Sequence, residues 1–247
     1  MKKILFFASV LLSLTGCTIY HPQAVDIPLI NHAGDTRLDV SASMSMWAIP
    51  DAFNLNTTVS HGFTDHFAGQ LHANYGGDNY YLQAAPGLYF PLGANSVVEL
   101  YAGYGYGGAD RETEESETVN DNGTTVNRDS WKFGGHYHLP FAQINFGWHD
   151  LTAAHFDFGF GLKAGAFMPD YEYREFASDG TEIASRYEHY TDKNLLLEPQ
   201  VIVRFGSKNV RFNVMLGFAW MSEWENNNTS NMLYDVITGS AGLTFCF

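Results

Sequence analysis

From residue 35 to residue 247 the side chains change character at every second position, and this period of two restricts the fold more than any other feature of the 247-residue chain. Residues 154–167, AHFDFGFGLKAGAF, give the clearest case. Phe156, Phe158, Phe160, Leu162, Ala164 and Ala166 alternate there with His155, Asp157, Gly159, Gly161, Lys163 and Gly165. Successive side chains of a strand point to opposite faces, so such a segment has one apolar and one polar face. Ten segments carry the pattern: 38–46, 53–59, 67–75, 80–90, 98–106, 131–148, 156–166, 195–205, 210–220 and 237–247. In the sixth, the apolar set Trp131, Phe133, Gly135, Tyr137, Leu139 gives way to Ile144, Phe146 and Trp148. That change of phase predicts a bulge at Pro140, which has no ladder donor.

The solvent follows from the two faces. A soluble lipocalin-like barrel would put Phe and Leu outside and Asn, Gln and Ser in its core, which inverts the energetics of burial. Links near 62–66, 91–96, 149–154 and 206–209 are short, whereas 108–129 and 169–194 are long and polar. Short turns at one rim, long loops at the other and an outward apolar stripe are the marks of an outer-membrane barrel. The expected fold is therefore all-β: a closed antiparallel transmembrane barrel of about ten strands, with short periplasmic turns and longer extracellular loops. Closure is required because an unpaired sheet edge in hydrocarbon leaves costly N–H and C=O groups. Trp47, Tyr75, Tyr104, Tyr106, Trp131, Trp148 and Trp220 are the expected interfacial aromatics. The expected location is the outer membrane.

The start of the chain reads differently. Lys2 and Lys3 precede ILFFASVLLSL, a basic region and an apolar stretch too short to span a bilayer, as in a secretory signal. Leu14-Thr15-Gly16-Cys17 then resembles a lipoprotein lipobox, which implies cleavage before an acylated Cys17. The expected organisation is a lipoprotein signal peptide at 1–16, an extended periplasmic tether at 17–34 and the barrel at 35–247. The formal charge is −14; removing the two lysines of the signal leaves 11 basic against 27 acidic residues, or −16. Cys17 and Cys246 are the sole cysteines, so acylation of the first leaves the second without an intramolecular partner.

The lipobox cysteine, Tyr20-His21-Pro22, Ile27-Pro28-Leu29 before Gly34-Asp35, and the Gly- and Tyr-rich stretches 85–92 and 101–107 together resemble small outer-membrane β-barrel proteins of Bacteroidota. The resemblance implies location and fold and passes on no catalytic residues. Surface lipoproteins of that group often carry acidic residues after the cysteine. Thr18-Ile19-Tyr20-His21 stands here instead, which favours an anchor in the inner leaflet.

Parity directs Asp39, Glu99, Lys132, His155, Asp157, Lys163, Glu198, Arg204 and Arg211 into the lumen, and His136 with His138 is expected there as polar filling. Buried charges are expensive unless paired, so these residues predict an interior ionic network. Inward glycines such as Gly103, Gly105, Gly134, Gly159, Gly161, Gly165 and Gly217 would thin the packing and admit a narrow water path, which keeps a small pore as one alternative. A surface hydrolase, protease or lipid A-modifying, is the other, because His155 with Asp157 and His149 with Asp150 are acid–base material. None of these pairs has a readable nucleophile and orienting partner. His136 and His138 share one strand face without a third ligand, and no metal site is assigned. The two long loops hold fourteen acidic and five basic residues, suited to bridging lipopolysaccharide through Ca²⁺ or Mg²⁺ or to docking an outer-membrane protein partner. Acidity argues against nucleic acid. The expected role is non-enzymatic: a structural or interaction barrel of the envelope, alone or as a subunit of a larger outer-membrane complex, in contact with membrane lipids and no other cofactor.

Overall fold

A computed structural model describes residues 18–20, 27–45, 53–114, 118–119, 125–126, 130–153, 155–176, 187–223, 233–234 and 236–247. Ten strands form the wall: β1 (Thr36–Ser45), β2 (Phe53–Gly62), β3 (Phe67–Tyr75), β4 (Asn79–Pro91), β5 (Ser96–Glu114), β6 (Ser130–Trp148), β7 (Asp157–Phe176), β8 (Asn194–Gly206), β9 (Val210–Phe218) and β10 (Ile237–Cys246). Each pairs antiparallel with the next, and β10 returns to β1 with Leu243 opposite Val40. No edge is left between first and last strand, as hydrocarbon demands. Four short turns, the start of β1, the end of β10 and Phe247 share one rim, where Phe247 N donates to Thr36 O at 3.0 Å. By the asymmetry of its links this rim is periplasmic.

The expected faces hold wherever lipid is the outer solvent. On β7, Phe160 is exposed while Asp157, Gly159, Gly161 and Lys163 are buried, and β2, β3, β4, β9 and β10 alternate in the same sense. The sixth segment requires a correction. Strand β6 pairs with β5 in one unbroken register from Ser96↔Trp148 to Glu114↔Ser130, and Pro140 lies opposite Tyr104 without a bulge. Odd positions face inward along its whole length, so Phe133, Tyr137, Leu139 and Phe141 are buried.

What changes near Pro140 is the solvent outside. Below it the outward residues are Ala142, Ile144, Phe146 and Trp148; above it they are His138, His136, Gly134 and Lys132. The partner strands switch at the same height. Tyr104 and Tyr106 precede Gly108, Asp110 and Glu112 on β5, and Met168 precedes Asp170, Glu172 and Arg174 on β7. The level of Tyr106, His138 and Met168 is therefore the outer boundary of the apolar band. A crossing strand needs about 10 residues, whereas β5 and β6 have 19 and β7 has 20. These three continue into the water as a wall with polar residues outside and aromatic residues inside. Residues 108–114 and 169–176, expected as loop, belong to this extension. Trp131 is likewise corrected: it faces inward and stacks on Tyr173, with ring centroids 6.2 Å apart. Trp47 lies outside the described residues.

Candidate functional site

The lumen is occupied by the protein's own N-terminal segment. Gly34, with φ of +92°, and Asp35 turn the chain back from β1; the Asp35 carboxylate accepts the N–H groups of Asn31 and His32 at 3.0 and 2.9 Å. Ile27, Leu29 and Ile30 then lie fully buried inside the barrel. The expectation of a periplasmic tether over 17–34 is corrected for the described residues 18–20 and 27–31. The physical reason is in the sequence: three large aliphatic side chains in four residues bury better against the wall than in water.

Two features of the wall receive the segment. The first is space. A Cβ at Gly159 would come within 2.8 Å of Ile27 Cγ2, and one at Gly147 within 2.6 Å of Leu29 Cδ2. These inward glycines are cradles, not thinning of the packing. Gly103, Gly105, Gly165 and Gly217 are similarly filled by Phe141, Tyr81, Leu139 and Gln200, and Gly134 faces outward. The second is polarity. A segment that joins no ladder brings backbone groups needing partners, and charged side chains supply them. Arg204 Nη1 donates to Ile27 O at 2.8 Å, Arg37 Nη2 donates to Leu29 O at 3.0 Å, and Ile30 N donates to Glu99 Oε1 at 2.7 Å. Leu29 has φ of +55°, a conformation few non-glycine residues hold without outside support.

Around this segment the charges balance. Arg37, Lys163, Arg204 and Arg211 are buried with Asp39, Glu99, Asp157 and Glu198. Asp157 accepts from Arg211 and, at 3.3 Å, from Arg37. Arg204 Nε lies 3.5 Å from Asp39 Oδ1, which also accepts from Thr244 and Asn213. Higher up, Lys163 Nζ is 3.5 Å from Glu198 Oε2 and donates to Gln83 Oε1 at 3.2 Å, over the ring of Phe141. Above that pair the lumen turns aromatic. Tyr20 meets Phe167 and Tyr137 edge-on at 5.2 and 5.6 Å, Tyr137 stacks on Tyr81, and Phe133 stacks on Tyr171.

Of the residues expected in the lumen, Asp39, Glu99, Asp157, Lys163, Glu198, Arg204 and Arg211 are there. Lys132, His136 and His138 are not: on β6 they face outward, at or above the membrane boundary, where the outer face meets water. His155 is not either: it sits in the 149–156 turn, with φ of +47°, and its Nδ1 is 2.7 Å from Asp150 Oδ1. Arg37 and Tyr20 belong to the network and escaped the sequence reading. Arg37 shares its parity with Asp39 and could have been found that way. Tyr20 had no such signal, since no periodicity marks 17–34.

At the periplasmic mouth Asp150 gathers His149, His155 and Arg211, with Arg211 Nη2 at 2.9 Å. Burial pushes the Asp150 carboxyl up, but the hydrogen bond from His155 and the charge of Arg211 outweigh it and hold the group below its ordinary range. Burial, then the charge of Arg37, push the His149 imidazole down. At the opposite rim a second group lies on the outer face. His189 Nε2 is 2.8 Å from Asp170 Oδ1, His136 Nε2 is 3.9 Å from Asp170 Oδ2, and Tyr104 Oη bonds His138 Nδ1. The His189 hydrogen bond holds the Asp170 carboxyl below the usual range. The adjoining groove, about 830 Å³, is lined by Tyr75, Tyr80, Tyr106, Phe176 and charged residues, with no Ser, Thr or Cys among the described residues of its lining. Among the described residues no three His, Cys, Asp or Glu side chains are placed to hold a metal ion. Of the acidic loop residues, Glu115, Glu117, Asp121, Asp129, Asp179 and Glu182 lie outside the described residues, as does Cys17.

A scan against protein-family models gives no match, and a search of curated proteins gives none. Among solved structures, the outer-membrane protease OmpT from Escherichia coli aligns with a TM-score of 0.56 at 10% identity, over 87% of this chain and 93% of that chain. This chain is an outer-membrane β-barrel. The KdgM porin aligns at 10% identity over 85% of this chain and 99% of that chain, with a TM-score of 0.36. At these identities the likeness to OmpT is one of fold. The buried groups that fill this barrel come from its own sequence.

Proposed function

We propose that the mature protein is a lipid-anchored, internally plugged barrel with a structural or interaction role in the envelope, and neither a hydrolase nor a pore. One observation carries this reading: the wall spends buried charges, Arg204, Arg37 and Glu99, on the backbone of residues 27–30. A conducting barrel would leave such groups to water. The acid–base pairs argue against catalysis by position. Asp150 is tied to Arg211 at the periplasmic mouth, and Asp170 with His189 stands on the outer face of the barrel.

The lipid comes from the lipobox reading. The Cys17 thiol takes a diacylglyceryl group from a phospholipid, whose phosphate headgroup leaves with the thiol proton, and water then cleaves the Gly16–Cys17 bond. The long wall of β5, β6 and β7 offers the surface for an outer-membrane partner. Its outward Asp110, Glu112, Asp170 and Glu172 suit Ca²⁺- or Mg²⁺-bridged lipopolysaccharide.

Metabolic labelling with a clickable fatty acid is expected to mark the wild type and be lost in Cys17→Ser. The purified full-length protein is expected to be silent in planar bilayers and inert toward peptide and lipid ester substrates. Discrete conductance steps would replace this reading with the pore. Turnover abolished by His189→Ala or His155→Ala would replace it with the enzyme. Affinity purification from the native membrane then identifies what the barrel serves.

A further inference from the structure

We infer that the N-terminal segment threads the barrel from the periplasmic mouth to the cell surface, so that the lipid on Cys17 is seated in the outer leaflet. The lipid rests on the lipoprotein reading above; the path does not.

The chain is fixed at four heights, and it rises as residue number falls. At the periplasmic rim, Gly34 N donates to Gly62 O at 2.8 Å. In the lower lumen, Ile27 fills the cradle of Gly159 and Gly161 on β7. Higher on the same strand, the ring of Tyr20 meets Phe167, one residue below the membrane boundary at Met168, and its hydroxyl donates to Glu198 Oε1 at 2.8 Å. Last, Thr18–Tyr20 runs parallel to Leu233–Tyr234, in the connection from β9 to β10. That connection stands on the long-loop rim, where Ala219 N donates to Val236 O at 2.9 Å.

Lengths agree with a direct course. The seven residues from Ile27 to Tyr20 reach about 23 Å when extended, and the six strand residues from Gly161 to Phe167 rise about 20 Å. Residue 17 is joined to Thr18 by one peptide, a step of about 3.8 Å. The inner leaflet lies across a hydrocarbon core of about 30 Å, and a single residue cannot return there. The inner-leaflet anchor expected from Thr18-Ile19-Tyr20-His21 is thus replaced by a surface one.

The test uses the full-length protein in outer membranes, with heat-modifiable migration as the check that each variant has folded. A photo-crosslinking phenylalanine analogue at position 20 is expected to link within the same chain, to peptides of β6 or β7. A short epitope inserted after Thr18 is expected to stain equally on intact and permeabilised cells. Mass spectrometry of the mature N-terminal peptide reads acylation separately. An acylated, folded protein whose epitope stains after permeabilisation alone overturns the inference while the lipoprotein reading survives. A missing link from position 20 in folded protein also overturns it. A surface epitope on an N-terminus without lipid overturns the outer-leaflet anchor through the lipoprotein reading and leaves the path standing.

Discussion

Tyr20 Oη donates to Glu198 Oε1 at 2.8 Å although 178 residues separate them, and the same carboxylate holds Lys163 Nζ at 3.5 Å. One buried group therefore ties the threaded segment, β7 and β8 together. Tyr20→Phe keeps the ring contacts and removes the hydrogen bond, so it should cost about 1.5–3 kcal/mol, the range for a bond to a charged acceptor. Glu198→Gln also leaves Lys163 without its counter-charge and should cost about 3–5 kcal/mol. Urea unfolding of the two variants in lipid checks the order. Equal losses would mean that the carboxylate does not serve both partners.

The cradle makes a steric prediction. Gly159→Val brings branched carbons to where Ile27 lies and should destabilise by about 1–3 kcal/mol, as overpacked cores do. Pairing it with Ile27→Ala should recover part of that loss, because the smaller side chain frees the space. A double variant no better than the single one would place the strain elsewhere.

Replacing residues 27–30 by Gly and Ser should open the lower lumen. Without the aliphatic side chains that seat it, the segment should leave the lumen, and Arg204, Arg37 and Glu99 would then exchange its backbone groups for water. Single-channel recording should then find conductance steps in the variant that the wild type lacks. A silent, correctly folded variant would show that side chains of the wall alone close the passage.

The periplasmic turn predicts sensitivity to acid. His149 and Asp150 both bind protons less readily in the folded protein than in the unfolded chain. Their contribution is complete above the ordinary histidine value of about 6.5 and is lost as pH falls below it, and for Asp150 on through the carboxylate range. The urea midpoint should drop between pH 7.5 and 5, on either side of that value of roughly 6.5. His149→Gln should flatten the upper part of the drop. An unchanged slope would assign the acid loss to other groups.

The wall was legible in the sequence because lipid imposes a strict alternation, and ten strands with seven of the expected lumen residues follow from parity alone. Parity misled where its premise ended. On β6 the inward aromatics Phe133 and Tyr137 look like a lipid face, and outward Lys132, His136 and His138 look like a lumen, because the strand leaves the bilayer at Pro140 without leaving the barrel. The threaded segment was illegible for a different reason. Its partners are charged side chains and glycine gaps contributed by β1, β5, β6, β7 and β8, and no local pattern announces contacts so far apart in the chain.

The seam between β10 and β1 has a consequence for the order of assembly. A hydrogen-bonded cylinder cannot admit a chain sideways, so residues 27–31 must lie in the open sheet before Leu243 meets Val40, or be fed endways past Arg204 and Glu99 afterwards. The first course is easier, since Arg37 on β1 and Thr244 on β10 flank the very charges that grip the segment. A segment that precedes every strand of the wall would then wait for the last of them, and biogenesis would end with the shutting of a single seam.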